Sequence, residues 1–399
     1  MVKVDINAEL LRWARERAGM TVSELLAKFP KLDQWEAGEA KPTLKQVEDY
    51  AKTTQTPFGY MFLERPPSEP LPIPDFRTMN GRQITRPSPN LLEMIYACEQ
   101  RQDWFRGYVR SNDWSELAFV GSMTPDTSVI TAAGEIRKAL NFDLEARRNC
   151  PTWAEALRLF VGLADGIGVL VMTSGIVMNN THRKLNPKEF RGFALSDKVA
   201  PLVFVNGADS KSAQMFTLAH ELAHIWLGQS AISDSTPDSS GGNRIETWCN
   251  RVAAEMLVPL AAVKSELVEG EELTSTVNRL TRAFKVSSLV ILQRLRDAGL
   301  IPASEFGSIY TEELERLDNL PKRTGGGDFY VSTVARYNRR FTRALVESTL
   351  EGRTLYRDAY RLLGISSTQN RYLFANLLNG KVAPRMVTTG SVKTSEVTT

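Results

Sequence analysis

The sequence FTLAHELAHIWLGQ, residues 216–229, constrains the fold of this chain more than any other stretch. It holds two of the chain's three histidines, His220 and His224, four residues apart among apolar residues. Side chains at i and i+4 share one face of an α-helix, so both imidazoles can reach a single metal ion. The sequence therefore predicts a largely apolar helix over about 211–228 that supplies two metal ligands.

Glu221 directly follows the first histidine and lies about 100° around the helix from it. From there a carboxylate cannot complete the same ligand set without distortion, but it can reach a water molecule on the open side of the metal. A carboxylate next to such a water can take its proton during hydrolysis. The pattern favours metal-assisted hydrolysis with Glu221 as the base. The alternative is that both histidines are satisfied core residues of a buried helix.

A catalytic zinc site also needs a third protein ligand. The next predicted helix, IETWCNRVAAEMLVP, contains Glu246 and Glu255, nine residues apart and so on nearly opposite faces. Asn250 and Ala253 share the face of Glu246, and this face suits packing against the histidine helix, which favours Glu246 as the ligand. Its alternative role is to stabilise the helix N-terminus without a metal. Asn250 is a candidate to orient a ligand, or else forms a surface hydrogen bond.

The remaining histidine, His182, lies in the polar sequence NNTHRK, which we predict to be a loop. It is a candidate hydrogen-bond donor to the oxyanion of hydrolysis, or an alternative ligand. Histidines in polar loops are usually solvated, and that interpretation is favoured.

Two of these stretches together resemble the motifs of the ImmA/IrrE metallopeptidases. They are AHELAHIWLG and, after a loop, ETWCNRVAAEMLVP, in which Cys249 stands where that family usually has alanine. The resemblance implies a zincin-like peptidase domain over about 150–305. It also implies that Zn²⁺ is bound by His220, His224 and Glu246, with Glu221 in catalysis.

Residues 1–65 resemble a helix-turn-helix of the XRE (Cro/repressor-like) type, in LLRWARERAGMTVSELLAKF and WEAGEAKPTLKQVEDYAK. Only PKLDQ separates the second helix from the Trp-Glu-x-Gly turn, which leaves less than two turns for a helix that reads the major groove. The segment carries ten basic and ten acidic side chains, whereas a DNA-binding face is positive. We therefore predict a degenerate domain that docks a protein, with DNA binding as the alternative.

Positive charge is concentrated at the other end of the chain. Residues 321–399 carry thirteen Lys and Arg against five Asp and Glu, and Arg336, Arg340 and Arg343 are predicted to share one helix face. An acidic protein or nucleic acid could bind this face, and a solvated helix face is the alternative. The sequence GGGDFY (325–330) is predicted to be a hinge.

Composition adds few constraints. The chain has 399 residues, 42% of them hydrophobic and 24% charged, which is typical of globular proteins with two or three domains. Three scattered cysteines indicate neither a disulfide framework nor a thiolate zinc site, so a reducing compartment is expected. No stretch is apolar enough for a signal peptide or a membrane span, and we predict a cytoplasmic protein.

Together these patterns predict an α+β fold that is mainly helical, with a small three-stranded sheet formed by IGVLVMTSGIV, FRGFALSD and PLVFVN. The predicted divisions are a helix-turn-helix-like domain (1–65), a proline-rich linker (66–89), a helical connecting region (90–149), the peptidase domain (150–305), a basic helical region (306–380) and a disordered tail (381–399).

The predicted function is a zinc-dependent endopeptidase that cleaves one regulatory protein. The family resemblance implies a repressor or antitoxin-type partner, in stress response, mobile-element control or toxin–antitoxin control. The alternative is a transcriptional regulator or antitoxin that uses the zinc fold as a docking or sensing scaffold and cleaves nothing. The sequence does not specify the oligomeric state.

Overall fold

A computed structural model describes residues 2–75, 78–79, 82–83, 87–233, 243–319 and 336–365. The chain divides into two compact units, residues 1–321 and 322–399. The predicted hinge at 325–330 and the predicted tail at 381–399 lie outside the described residues.

The first unit begins with short helices around a small aromatic core. Thr21 and Thr43 each cap a helix in a capping box, with Glu24 and Gln46 as the reciprocal partners. Trp13, Trp35 and Tyr50 are buried among the apolar residues of this core. The helices are α1 (Ala8–Arg17), α2 (Val22–Leu26), α3 (Leu32–Glu36) and α4 (Leu44–Thr53), followed by a 3₁₀ helix (Phe58–Phe62).

Two short antiparallel strands and four helices follow, as far as the start of the main sheet. The strands are β1 (Thr78–Met79) and β2 (Arg82–Gln83). The helices are α5 (Pro89–Ser111), α6 (Val129–Leu140), α7 (Leu144–Arg148) and α8 (Trp153–Gly166).

The main sheet has four strands in the order β3-β7-β6-β8, one more than the sequence predicts. Strand β7 pairs in parallel with β3, whereas β6 pairs antiparallel with both β7 and β8. The missed strand, β8, has only three residues, too few to show an alternating pattern. A separate two-stranded sheet is formed by β4 and β5. The strands are β3 (Leu170–Ser174), β4 (Ile176–Val177), β5 (Asn180–Lys184), β6 (Gly192–Leu195), β7 (Leu202–Asn206) and β8 (Ala231–Ser233).

Helix α9 (Lys211–Leu227) contacts strands β6 and β7 of the sheet and also helix α10 (Arg244–Leu257). It ends at Gly228, whose φ of 70° is the left-handed conformation that glycine adopts without strain. A Cβ atom at Gly228 would also lie 2.9 Å from the Cα atom of Gly121. Glycine at this position therefore both ends the helix and leaves space for the backbone at Gly121, and the chain continues from here into β8.

Four more helices lie in the described part of the first unit. Two further helices lie in the described part of the second unit. In the second unit Asn338, with a φ of 69°, caps the helix that follows. Arg336 therefore precedes that helix, so the prediction that it shares a continuous helix with Arg340 and Arg343 is wrong. The first four helices are α11 (Leu260–Ser265), α12 (Leu273–Phe284), α13 (Ser288–Asp297) and α14 (Ala303–Asp318), and the last two are α15 (Arg339–Leu350) and α16 (Tyr356–Leu363).

The edge of the main sheet is covered by the proline-rich segment. The backbone N–H of Ile232 in β8 donates to the carbonyl oxygen of Pro74 at 3.0 Å. Glu69 of the same segment accepts a hydrogen bond of 2.8 Å from the guanidinium of Arg17 in α1. This segment therefore links the N-terminal helices to the outer strand of the sheet.

Within the described ranges, no helix combines the length and the apolar character that crossing a membrane would require.

Candidate metal centre

Helices α9 and α10 bring three side chains of the predicted site to one point. The Nε2 atoms of His220 and His224 are 3.0 Å apart. The Oε2 atom of Glu246 lies 3.2 Å from Nε2 of His220, and its Oε1 atom lies 3.0 Å from Nε2 of His224. All three residues are buried, and their ligand atoms lie within 4.8 Å of one another.

Asn250 fixes the orientation of one imidazole. Its Oδ1 atom lies 2.8 Å from Nδ1 of His220, one turn of α10 beyond Glu246. Because an amide oxygen can only accept, Nδ1 of His220 carries the proton in this contact. The lone pair of Nε2 is then directed at the other two ligand atoms, as a metal ligand requires.

The charges of this group suit a divalent cation. Burial alone would raise the pKa of Glu246. The charges of the two histidines, and the hydrogen bonds that they form with this carboxylate, instead lower its pKa to about 2. Burial lowers the pKa of His224. Burial also opposes the charge on His220, but the negative charge of Glu246 outweighs it and raises the pKa of His220. Below the raised pKa of His220, a proton on that ring balances the negative charge of Glu246, and a cation can take its place.

This exchange predicts that zinc affinity rises with pH. Zinc binding needs neutral imidazoles, so below the raised pKa of His220 each bound ion must displace one proton. The apparent affinity should fall by about tenfold for each pH unit below that pKa, and level off above it. Competition with a fluorescent chelator between pH 5.5 and 8.5 measures this slope. An affinity that stays constant over that range would contradict the assignment of His220 as a ligand.

Glu221 lies on another face of α9 and faces the sheet. Its carboxyl Oε1 accepts a hydrogen bond from the hydroxyl of Ser233 in β8. A Cβ atom at Gly192, in β6, would lie only 3.0 Å from the same Oε1 and 2.6 Å from Cγ2 of Thr217. Neither of these neighbours of Glu221 is predicted from the sequence. A glycine within a strand can mark such a close approach, but nothing in the sequence singles out Ser233.

Replacing Gly192 by alanine should therefore be destabilising. The added methyl group would meet Thr217, Glu221 and, at 2.8 Å, the carbonyl oxygen of Phe204 in a packed interior, and such overpacking typically costs about 1–3 kcal/mol. Gly162 in α8 is the matched control, because an added Cβ atom would meet nothing within 4 Å there. Gly162→Ala should stabilise the protein by up to about 1 kcal/mol, since alanine favours a helix over glycine. Urea unfolding, followed by circular dichroism, measures the change in the free energy of unfolding for each variant. Equal changes in the two variants would contradict the close approach of Glu221 and Thr217 to Gly192.

The other carboxylate of α10 has a different environment. Glu255 forms a buried ion pair with the guanidinium of Arg294 in α13, and its Oε2 atom accepts a hydrogen bond of 3.2 Å from the backbone N–H of Leu260. It lies outside the group of ligand atoms, because half a helix turn separates its face from that of Glu246. Cys249 is also outside this group, and burial raises the pKa of its thiol well above the ordinary value.

His182 lies in strand β5, so the prediction that it lies in a loop is wrong. It is exposed, and it is not a member of the group of three ligands found among the described residues. The polar sequence there pairs with β4 through the backbone, which does not depend on an apolar face. An alternative role of His182 as a ligand therefore has no support in the described structure.

Two helices that converge on a His-His-Glu group, beside a small mixed sheet, are features of a metallopeptidase-like domain. Residues 164–296 match the family model described as the IrrE N-terminal-like domain (Peptidase_M78), and the match supports a peptidase of the ImmA/IrrE type. Residues 338–376 match a domain of unknown function (DUF8813), which includes helices α15 and α16. No curated protein matches the chain significantly.

Proposed function

We propose that this protein is a zinc-dependent endopeptidase. The observation that carries the proposal is the convergence of two imidazole Nε2 atoms and one carboxylate within 4.8 Å, with a second carboxylate on the neighbouring face of the same helix. Two histidines and one glutamate are a ligand set of catalytic zinc, in which a fourth position stays open to water or substrate.

The metal ligands and the base have different roles in the proposed hydrolysis. A bound zinc ion would polarise the scissile carbonyl and lower the pKa of a water molecule toward neutrality. Asn250 holds the His220 ring in the tautomer that leaves Nε2 available. Glu221 takes the proton of the attacking water and passes it to the amine that leaves. The buried position of Glu221 strengthens its interaction with the reacting atoms, because little water screens it.

We also propose that the substrate is a regulatory protein, of the repressor or antitoxin type, and that the N-terminal helices dock a protein rather than DNA. Helix α3 has only five residues, and Leu32, Trp35 and Glu36 on it are buried. The other two residues of α3, Asp33 and Gln34, are exposed. The helix therefore offers few side chains that could read base edges.

The charges of the N-terminal helices support the same choice. A DNA-binding face needs cations that are available to phosphate groups. Five of the ten basic side chains in residues 1–65 are instead paired with carboxylates. The pairs are Arg15–Glu36, Arg17–Glu69, Lys41–Asp5, Lys45–Asp49 and Lys52–Glu48.

The direct test is to incubate the full chain with the proteins encoded beside its gene, with zinc, with a chelator, and with zinc restored. We expect a cleaved partner with zinc, no cleavage with the chelator, and recovery when zinc is added back. A stable complex that is never cleaved under any of these conditions would select the non-cleaving regulator instead. Mass spectrometry of the products would identify the scissile bond.

A further inference from the structure

We propose that Ser233 is a positioning residue, which holds the carboxylate of Glu221 at the angle needed to accept a proton. The inference deepens the proposed function and rests on it, since Glu221 is the base of that mechanism. No motif in the sequence singles out Ser233. The turn after α9 brings β8 back to the sheet and places Ser233 beside Glu221.

The main-chain register places Ser233 next to the base. Ser233 pairs with Gly192 across the antiparallel ladder of β6 and β8. Both residues are buried, and both lie against the Glu221 side chain on α9. The ladder fixes the backbone of Ser233, so its hydroxyl can reach Oε1 of Glu221 without a flexible loop between them.

The two neighbours determine the position of the carboxylate in complementary ways. Because Gly192 has no side chain, Oε1 can lie close to the backbone of β6, 3.0 Å from where a Cβ atom would be. The hydroxyl of Ser233 donates to the same oxygen, and a hydrogen bond to an ionised acceptor is stronger than one between neutral groups. Fixing Oε1 also fixes the rotation of the carboxyl group, and with it the direction of the second oxygen.

A buried carboxylate also needs hydrogen-bond donors from the protein. Glu221 has none of its surface exposed to solvent, so each hydrogen bond to it replaces one that water would provide. Alanine at position 233 would remove one such donor and leave the strand pairing unchanged. Threonine would retain the hydroxyl, and its branched side chain is well suited to a β-strand.

The test uses zinc-loaded full-length protein and acetohydroxamate, measured by isothermal titration calorimetry. Acetohydroxamate binds zinc through two oxygens, and a correctly placed carboxylate accepts its proton, so its affinity reports the position of Glu221 without any turnover. We expect Ser233→Ala to weaken binding by about 10- to 100-fold, as is typical when a supporting partner in a metal site is removed. Ser233→Thr should stay close to the wild type, and Glu221→Gln should bind more weakly than either.

Ser230→Ala is the matched control, because the Ser230 hydroxyl accepts a hydrogen bond from the backbone N–H of Ser196 at 2.9 Å and does not contact Glu221 in the described contacts. It should bind the probe like the wild type. Zinc content, measured by atomic emission, should be one ion per chain in all variants.

Three outcomes would overturn the proposal. Wild-type affinity in Ser233→Ala would show that the hydroxyl does not position the base. Equal weakening in Ser233→Ala and Ser233→Thr, or loss of zinc from both, would show a purely structural role. Failure of the zinc-loaded wild type to bind the probe would show that Glu221 does not face the open side of the metal. A wild type that binds the probe but cleaves no partner would contradict only the proposed function.

Discussion

Glu221→Gln should abolish peptide cleavage while the fold and the zinc content stay unchanged. Glutamine has nearly the same shape and can still accept the hydrogen bond from Ser233, but its amide cannot take a proton from water. Removing a general base typically lowers the rate by about 10²- to 10⁴-fold. Because Glu221 is also buried beside the reacting atoms, we expect the upper part of that range. Cleavage of the partner protein, followed on gels against time, measures the loss.

The variant must first be shown to be folded and loaded. Its circular dichroism spectrum, its melting temperature and its zinc stoichiometry should match those of the wild type. Under those conditions, cleavage at more than a tenth of the wild-type rate would exclude Glu221 as the base. Loss of zinc from Glu221→Gln would instead show that Glu221 is one of the ligands.

The two glutamates of α10 should respond differently to replacement by glutamine. Glu246→Gln should lose zinc affinity by at least about 100-fold, because it removes a direct ligand and outer partners alone account for 10- to 100-fold. Glu255→Gln should retain zinc. It should instead lower the free energy of unfolding by about 1–3 kcal/mol, because the buried guanidinium of Arg294 loses one of two carboxylate partners and keeps Asp297. Zinc titration and urea unfolding of both variants measure these opposite responses.

Each glutamate serves as the control for the other, since they lie on one helix and differ by half a turn in direction. Unfolding should be measured on the metal-free proteins, because bound zinc stabilises the folded state by mass action. Loss of zinc from Glu255→Gln, with retention in Glu246→Gln, would reverse the ligand assignment.

The histidine helix was predictable because its information is local. The spacing of His220 and His224, the apolar residues between them and the stop at Gly228 all lie within one stretch of sequence. The observed helix ends at Leu227, with Gly228 as its left-handed cap. The same periodicity places Glu221 on a neighbouring face. These features follow from helix geometry alone, whatever the helix packs against.

The choice between the two carboxylates could be argued from the sequence but not decided by it. Helical periodicity shows that Glu246 and Glu255 point in opposite directions, and it does not show which direction faces α9. That depends on how the apolar face of α10 packs, and on the buried position of Arg294 in α13, which forms an ion pair with Glu255. Both are contacts between residues distant in the sequence.

The sequence by itself determined the histidine helix, the positions of the two candidate ligands on it and the mixture of helices with a few strands. Only the tertiary structure decided that β8 returns to the sheet and brings Ser233 to Glu221, and that β6 leaves room there only for Gly192. The physical reason is that helix periodicity is a property of neighbouring residues. The surroundings of a buried carboxylate are instead set by strand pairing and by close packing between segments that lie far apart in the chain.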